Sequence, residues 1–206
     1  MSFTTYSGYV NELLSWPDVS LTTAQVTSLI GISERQVNSV LRVRPMETAL
    51  AATAVTAGTA AIPADYVELK HAYINASPKI RPLKRATADE IYHAYPDRTA
   101  DAEAEVLIAR EGSSFIFGPA AATGDVVMGI YYARPISMAD NTTTTPTFSV
   151  YPQVYLYAAL ANLEPFIGRD PRIQTWQSFF KQALDLANGE DARELGSGGA
   201  MQARVT

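Results

Sequence analysis

Thiol and imidazole groups are scarce in this chain: it has no cysteine, and His71 and His93 are its two histidines. That excludes a disulfide framework, a thiolate metal site, a cysteine nucleophile and a multi-histidine metal centre. Two pairs of adjacent carboxylates, Asp89-Glu90 and Glu190-Asp191, hold the right groups for acid–base work. Side chains adjacent in sequence diverge on a helix, so neither pair aims both carboxyls at one bond. Both pairs read as solvated faces, and His93, between Tyr92 and Tyr95, reads as a surface or packing residue. The sequence has no G-x-S-x-G elbow, no G-x-x-x-x-G-K phosphate loop, no G-x-G-x-x-G and no H-E-x-x-H. The residues therefore predict no enzyme, with no catalytic, metal-binding or cofactor-binding side chain and no cofactor.

One stretch has the spacing for a different chemistry, the reading of DNA. Thr23 to Arg42, TAQVTSLIGISERQVNSVLR, places Gly31 where a helix-turn-helix turns, with Ile32 beside it and Val37 and Val40 to pack a second helix. Ser33 and Gln36 would form that helix's capping box, and Arg35, Gln36, Asn38 and Arg42 would reach base edges. Thr27 stands where a tight turn prefers alanine. The chain as a whole carries 16 basic against 21 acidic side chains, a net −5 that disfavours a polyanionic partner. The competing reading is one continuous helix that tolerates Gly31 at a cost of about 1 kcal/mol.

The 206 residues suit one large domain or two small ones. Apolar residues make up 47% of the chain and charged residues 18%, with 11 tyrosines. That bias suits surfaces that meet protein more than water. No segment approaches the ~18 uncharged apolar residues of a membrane span, and no membrane role is expected. The opening Met1 to Thr5 lacks the basic and apolar regions of a signal peptide, so assembly in a cytoplasm is expected.

The elements that position these residues follow from periodicity. Tyr6 to Ser15 and Thr22 to Arg42 carry helical spacing, stopped by Trp16-Pro17-Asp18 and by Pro45. From Met46 to Arg134 the period shortens. Strands are predicted at 48–55, 66–74, 105–109, 115–117 and 126–133, separated by turn signals, with one short helix opened by the Thr87/Glu90 capping box. Residues 135–150 read as a loop. Pro152 opens a helix to about Leu163. Asp170-Pro171 caps a last one that Asn188-Gly189 should stop. On this last helix Phe179 and Leu186 widen the apolar face to an arc of roughly 160°, more than one packing partner requires. The predicted fold is α+β: a helical bundle (1–45 and 151–190) with a small antiparallel β domain inserted at 46–150, and an extended tail at 191–206. That tail is too poor in apolar residues to build a core, and ordering it costs about 1–2 kcal/mol per residue. It is expected to dock on a neighbouring chain, with Met201 and Val205 as apolar anchors and Arg204 between them.

Several strings, in order, resemble the head-to-tail adaptor proteins of tailed phages. Leu29 to Glu47 is similar to that family's helix-to-strand junction, and Ile62-Pro63-Ala64-Asp65-Tyr66-Val67-Glu68-Leu69 to its turn into a strand. Pro82-Leu83, Ala88-Asp89-Glu90 and Tyr131 to Ile136 match the following elements. Tyr151 to Leu160 resembles its most recognisable helix, followed by Glu164-Pro165-Phe166 and by Arg172, Trp176 and Phe180. The resemblance implies a structural virion protein at the head–tail junction: one subunit of a ring, expected to be a dodecamer. The ring would join the portal to a downstream tail or nozzle protein, with DNA as channel cargo. Arg42 and Arg44, at the junction, are then expected to make carboxylate pairs within or between subunits, and Phe179, Leu186, Met201, Arg204 and Val205 to meet the portal or a neighbouring subunit. Other readings remain: the DNA-binding regulator above, another tail tube or nozzle subunit, or a hydrolase.

Overall fold

The computed structural model describes residues 5–76, 79–97, 105–141 and 143–197. The chain divides into two units, Met1–Met46 with Pro135–Thr206, and Glu47–Arg134.

The first unit is helical. Its helices are α1 (Tyr6–Ser15), α2 (Thr23–Val40), α4 (Met138–Asn141), α5 (Pro146–Val150), α6 (Pro152–Ala161), α7 (Glu164–Ile167) and α8 (Ile173–Ser197). Thr5 caps α1 by accepting from the Gly8 amide, and Thr22 and Gln25 cap α2 reciprocally. The centre is α6, whose Val154, Tyr155, Leu156, Ala158, Ala159 and Leu160 are all buried. A helix that is apolar all round must be covered on several sides; here α1, α2, α5 and α8 pack on it. Phe148 of α5 sits between the rings of Tyr9 (5.2 Å) and Tyr155 (5.6 Å).

Three expectations for this unit are corrected. The segment 135–150 contains two short helices, because Thr145 caps the Phe148 amide and Phe148 is fully buried. The last helix starts at Ile173, two residues later than expected, because the Asp170 carboxylate folds back onto the Arg172 amide (2.8 Å). Nor does it stop at Asn188-Gly189: it runs on to Ser197, and the Asn188 side chain accepts the backbone N–H of Arg42 (3.1 Å).

The second unit is built on strands β1 (Glu47–Ala54), β2 (Thr59–Ala61), β3 (Tyr66–Ala76), β4 (Lys79–Arg85), β5 (Val106–Glu111), β6 (Ser114–Gly118) and β7 (Val126–Ala133), with helix α3 (Ala88–Ala94). They form one sheet in the order β1-β7-β3-β4-β5-β6-β2. Its two ends meet at the β1–β2 hairpin, where Thr56 bridges Thr59 across Ala57 (φ 50°) and Gly58 (φ 74°). The sheet therefore curls into a nearly closed barrel. Leu50, Val55, Leu69, Ile74, Val106, Ile108, Phe115, Phe117 and Val127 fill its interior. On the outside Ile91 of α3 packs against Ala109 and Ile116.

This corrects the expected architecture of a helical bundle with a small antiparallel insertion. The sheet has seven strands and is mixed, since β4 and β5 run parallel. Two strands escaped the reading of periodicity, although the family resemblance implied a strand at Pro82-Leu83, within β4. Three residues of β2 are too few to show a period. In β4, Lys79-Ile80-Arg81-Pro82-Leu83-Lys84-Arg85, charges and a proline mask the pattern. Proline removes a ladder donor and is confined to places where none is needed. Pro82 lies one residue before the β5 ladder begins at Leu83.

Candidate functional site

The DNA-reading geometry is not present in α2. The helix is unbroken from Thr23 to Val40, and Gly31 lies inside it with space for a Cβ 3.8 Å from that of Ala139. Ser33 is buried and donates to the Leu29 carbonyl four residues back (2.8 Å), an intrahelical bond and not a cap. Gln36 accepts from Asn162 (2.5 Å), and the Arg42 guanidinium donates to the carbonyls of Asn38 (3.1 Å) and Leu41 (2.7 Å). Arg42 thus satisfies carbonyls at the C-terminal end of α2, where a cation also meets the helix dipole favourably. Arg44 stands exposed in the short 3-10 turn Arg44–Met46.

No group of three or more His, Cys, Asp and Glu side chains is placed to hold a metal ion among the described residues. His71, on β3, and His93, on α3, are both exposed. No helix among them is long and apolar enough to cross a membrane.

What the helical unit does present is an apolar surface. The residues that α8 buries, Ile173, Trp176, Phe180, Ala183 and Ala187, form one stripe. Phe179 is 40% exposed and Leu186 56% exposed, seven residues or two helical turns apart, which is about 10 Å along the axis. Phe179 ends a row of rings: its centroid is 5.4 Å from Tyr157 of α6, which is 5.8 Å from Trp16. Around Leu186, Ser178, Lys181, Gln182 and Asp185 line an open depression of about 400 Å³. Apolar anchors within a polar rim have the anatomy of a protein–protein contact. The tail residues Met201, Arg204 and Val205 lie outside the described residues.

One corner of this surface is clamped by Arg172. Its guanidinium is bonded to both oxygens of Asp170, the closer at 2.7 Å, donates to the carbonyls of Trp16 (3.3 Å) and Pro17 (3.0 Å), and lies 5.3 Å from the Trp176 ring centroid. The fork geometry that serves three partners at once belongs to arginine and not to lysine. Hydrogen bonds from the Arg172 side chain, then from its amide, hold the Asp170 carboxyl below the ordinary aspartate range. A carboxylate whose folded pKa is depressed stabilises the fold above its unfolded pKa, and that contribution is lost as the pH falls through the folded value. Both tryptophans of the chain touch this clamp. The Trp16 indole also donates to the Glu12 carboxylate (2.9 Å), so the readout is Trp176 in a Trp16→Phe background, which keeps the Trp16 carbonyl's place. Its fluorescence should stay level through the ordinary aspartate range on acidification and change only below it. Asp170→Asn should lack that step, and a step centred at the ordinary aspartate pKa with Asp170 in place would contradict the clamp.

The least expected polar group is Glu34. It is 5% exposed, and its carboxylate accepts from Ser137 Oγ (2.8 Å) and from the Met138 amide (2.6 Å) at the start of α4. Burial first, and then the charge of Glu34, pushes the phenols of Tyr9 and Tyr155 well above the ordinary tyrosine range. Tyr9 Oη donates to the Tyr155 carbonyl (3.1 Å). This is a structural polar cluster, closed over by helices. Within the SERQ string Glu34 looked like any surface glutamate, and no sequence signal marked it.

Across residues 4–204 the sequence matches the family described as SU10 adaptor protein. The chain belongs to that family. It is a phage head–tail adaptor, a structural component of the virion, as the resemblance noted from the sequence implied. No curated protein matches it. An adaptor works by contact, so its functional residues are those that its own fold leaves unpartnered. On the helical unit of this adaptor, Phe179 and Leu186 are two exposed apolar side chains on one face of α8, with Ile32, Val40, Ile136 and Val150 exposed elsewhere.

Proposed function

We propose that this adaptor is one subunit of a ring that seats against the portal of a tailed phage. The ring continues the DNA channel towards the tail, and the exposed face of α8 is packed against a neighbouring subunit. The observation that carries the reading is the family match over nearly the whole chain. The open Phe179/Leu186 face supports it, because two large apolar side chains two turns apart on one helix face make a patch of the kind that a protein contact covers. The net charge of −5 suits a channel through which DNA passes without adhering. Assembly would take place in the host cytoplasm, with twelve copies matching the ring order that the family resemblance implies. Arg42 and Arg44 would add ion pairs at the subunit boundary.

The test is to mix the purified chain with the portal of the same phage and image the product by negative stain. The wild-type chain should add a ring of density at one end of the portal. The double variant Phe179→Ser/Leu186→Ser should fold like the parent, with an unfolding free energy within about 1 kcal/mol, since both sites are exposed. Losing two interface anchors, at about 1–2 kcal/mol each per contact, should reduce ring occupancy at least ten-fold. Equal occupancy would remove the α8 face from the interface. A wild-type chain that leaves the portal bare would overturn the ring reading itself.

A further inference from the structure

We propose that the free edge of β1 receives residues 201–206 of a second copy of this chain as an added strand. The proposal rests on the ring reading above and supplies the contact by which one subunit holds the next. Among the described residues, β1 pairs with β7 on one side and ends the sheet on the other. It meets β2 through the tight hairpin at Ala57-Gly58, after which β2 departs to pair with β6, so the barrel stays open along the outer edge of β1.

An edge strand turns alternate N–H and C=O groups outward, and proteins guard such edges with lysine, proline, charge or shortness. The opposite edge is guarded: β2 has three residues and Pro63 follows two residues after it. β1 is guarded less. Its eight residues open on Glu47, which is paired with Lys70, and carry a bulge at Ala51-Ala52, but from Thr48 to Ala54 it reads Thr-Ala-Leu-Ala-Ala-Thr-Ala, with no charge and no proline. Thr48, Ala49, Ala51, Ala52 and Ala54 are exposed, and their side chains are small enough to let another backbone approach. Ala51 and Ala52 fall in a bulge, where two residues of β1 stand against one of β7, between the Leu50–Gly129 and Thr53–Val127 pairs.

The occupant is indicated by the far end of the same chain, which lies outside the described residues. Met201-Gln202-Ala203-Arg204-Val205-Thr206 alternates apolar and polar residues without exception, the period of a strand with one buried face. In the sequence it follows Gly198-Gly199-Ala200. Six residues in extended form span about 20 Å, within the roughly 27 Å of an eight-residue strand. The contact joins two different surfaces, the edge of one subunit and the end of the next. Such a heterologous contact closes rings, where a self-complementary one would give a dimer.

The chain has no cysteine, so introduced thiols report without interference. Ala203→Cys is combined in turn with Ala49→Cys, Ala51→Cys and Ala52→Cys, and as a control with Asn75→Cys, which is exposed on β3. Each full-length variant is assembled on the portal, oxidised and run on a non-reducing gel. At least one β1 position should give a ladder of linked subunits, while Asn75→Cys gives none. In parallel, the chain ending at Ser197 and the full-length Ala52→Pro variant should each make rings that dissociate on at least ten-fold less dilution than the parent. Rings that form normally but give no β1 ladder, or an equal ladder with the control, overturn the β1 edge and leave the ring reading standing. A fast-migrating monomer, linked within one chain, overturns the choice of a second copy. Truncated rings as durable as the parent overturn the tail as the occupant.

Discussion

Gly129→Val is expected to leave the β unit unfolded, the largest loss of stability expected of any single substitution here. Gly129 lies in β7, opposite Ala72 of β3 on one side and Leu50 of β1 on the other. A Cβ at this position would stand 2.2 Å from the backbone oxygen of His71 and 2.8 Å from the Cα of Ala72. Both are backbone atoms of a strand held on two sides, by β7 and by β4, so neither can give way without breaking a ladder. The register shift between Leu69 and His71 is what brings the β3 backbone so close. Overpacking in a core costs about 1–3 kcal/mol when side chains can yield, and more when the backbone must. Against a typical stability of about 5–15 kcal/mol for a domain, valine here removes most of what this unit has. Circular dichroism should lose the strand signal, and urea titration should lose the corresponding transition. Gly112→Ala is the comparison: its φ of +58° costs about 1–2 kcal/mol, but nothing lies within 4 Å of the new Cβ. Gly129→Val unfolding at the wild-type midpoint would mean that β3 and β7 do not pair in this register.

Gly129 also shows where the sequence was legible and where it was not. Strands with apolar alternation or β-branched residues, such as β1, β3 and β7, announced themselves, and so did helices with a capping box, such as α2 and α3. These signals are local. Sheet closure is not: it depends on β2 and β4, one too short and the other too charged to show a period, and on the glycine that lets β7 approach β3. The last helix was misjudged because Asn188-Gly189 is a stop signal only if the chain has nowhere to continue. Asn188 instead spends its side chain on the end of α2. In the candidate site, the excess width of the α8 face was visible in Phe179 and Leu186, because amphipathic arcs can be measured on a sequence. The open edge of β1 was not, since whether a strand lies at an edge is decided by strand order. Glu34 gave no signal at all, because its two donors are contributed by residues more than 100 positions away.

Glu34→Ala should destabilise the helical unit by about 3–4 kcal/mol, a large effect for a residue with no place in an apolar core. Most glutamates on a helix point to water, and their removal costs a few tenths of a kcal/mol. This one is enclosed, and both of its oxygens are used. Oε2 accepts from the Ser137 hydroxyl and Oε1 from the Met138 amide, which joins α2 to the first turn of α4 within the same unit. Alanine leaves the Met138 N–H facing a hole, and a buried donor without an acceptor costs about 1–3 kcal/mol by itself. The cavity adds to that. Glu34→Gln keeps the volume, its oxygen can accept from the Met138 amide and its NH₂ can donate to the Ser137 hydroxyl, so it loses only the charge assistance and should cost less than alanine, about 1 kcal/mol. Two readouts separate this bridge from a general packing defect. Hydrogen exchange at the Met138 amide should accelerate in Glu34→Ala far more than at the amides of α8, which takes no part in the bridge. A cycle with Ser137→Ala should show coupling of about 1–2 kcal/mol, as expected for directly bonded charged and neutral partners. Additive losses, with Met138 exchange unchanged, would mean that the carboxylate only fills space. The start of α4, where the chain re-enters the helical unit after β7, would then be fixed by its neighbours' packing alone.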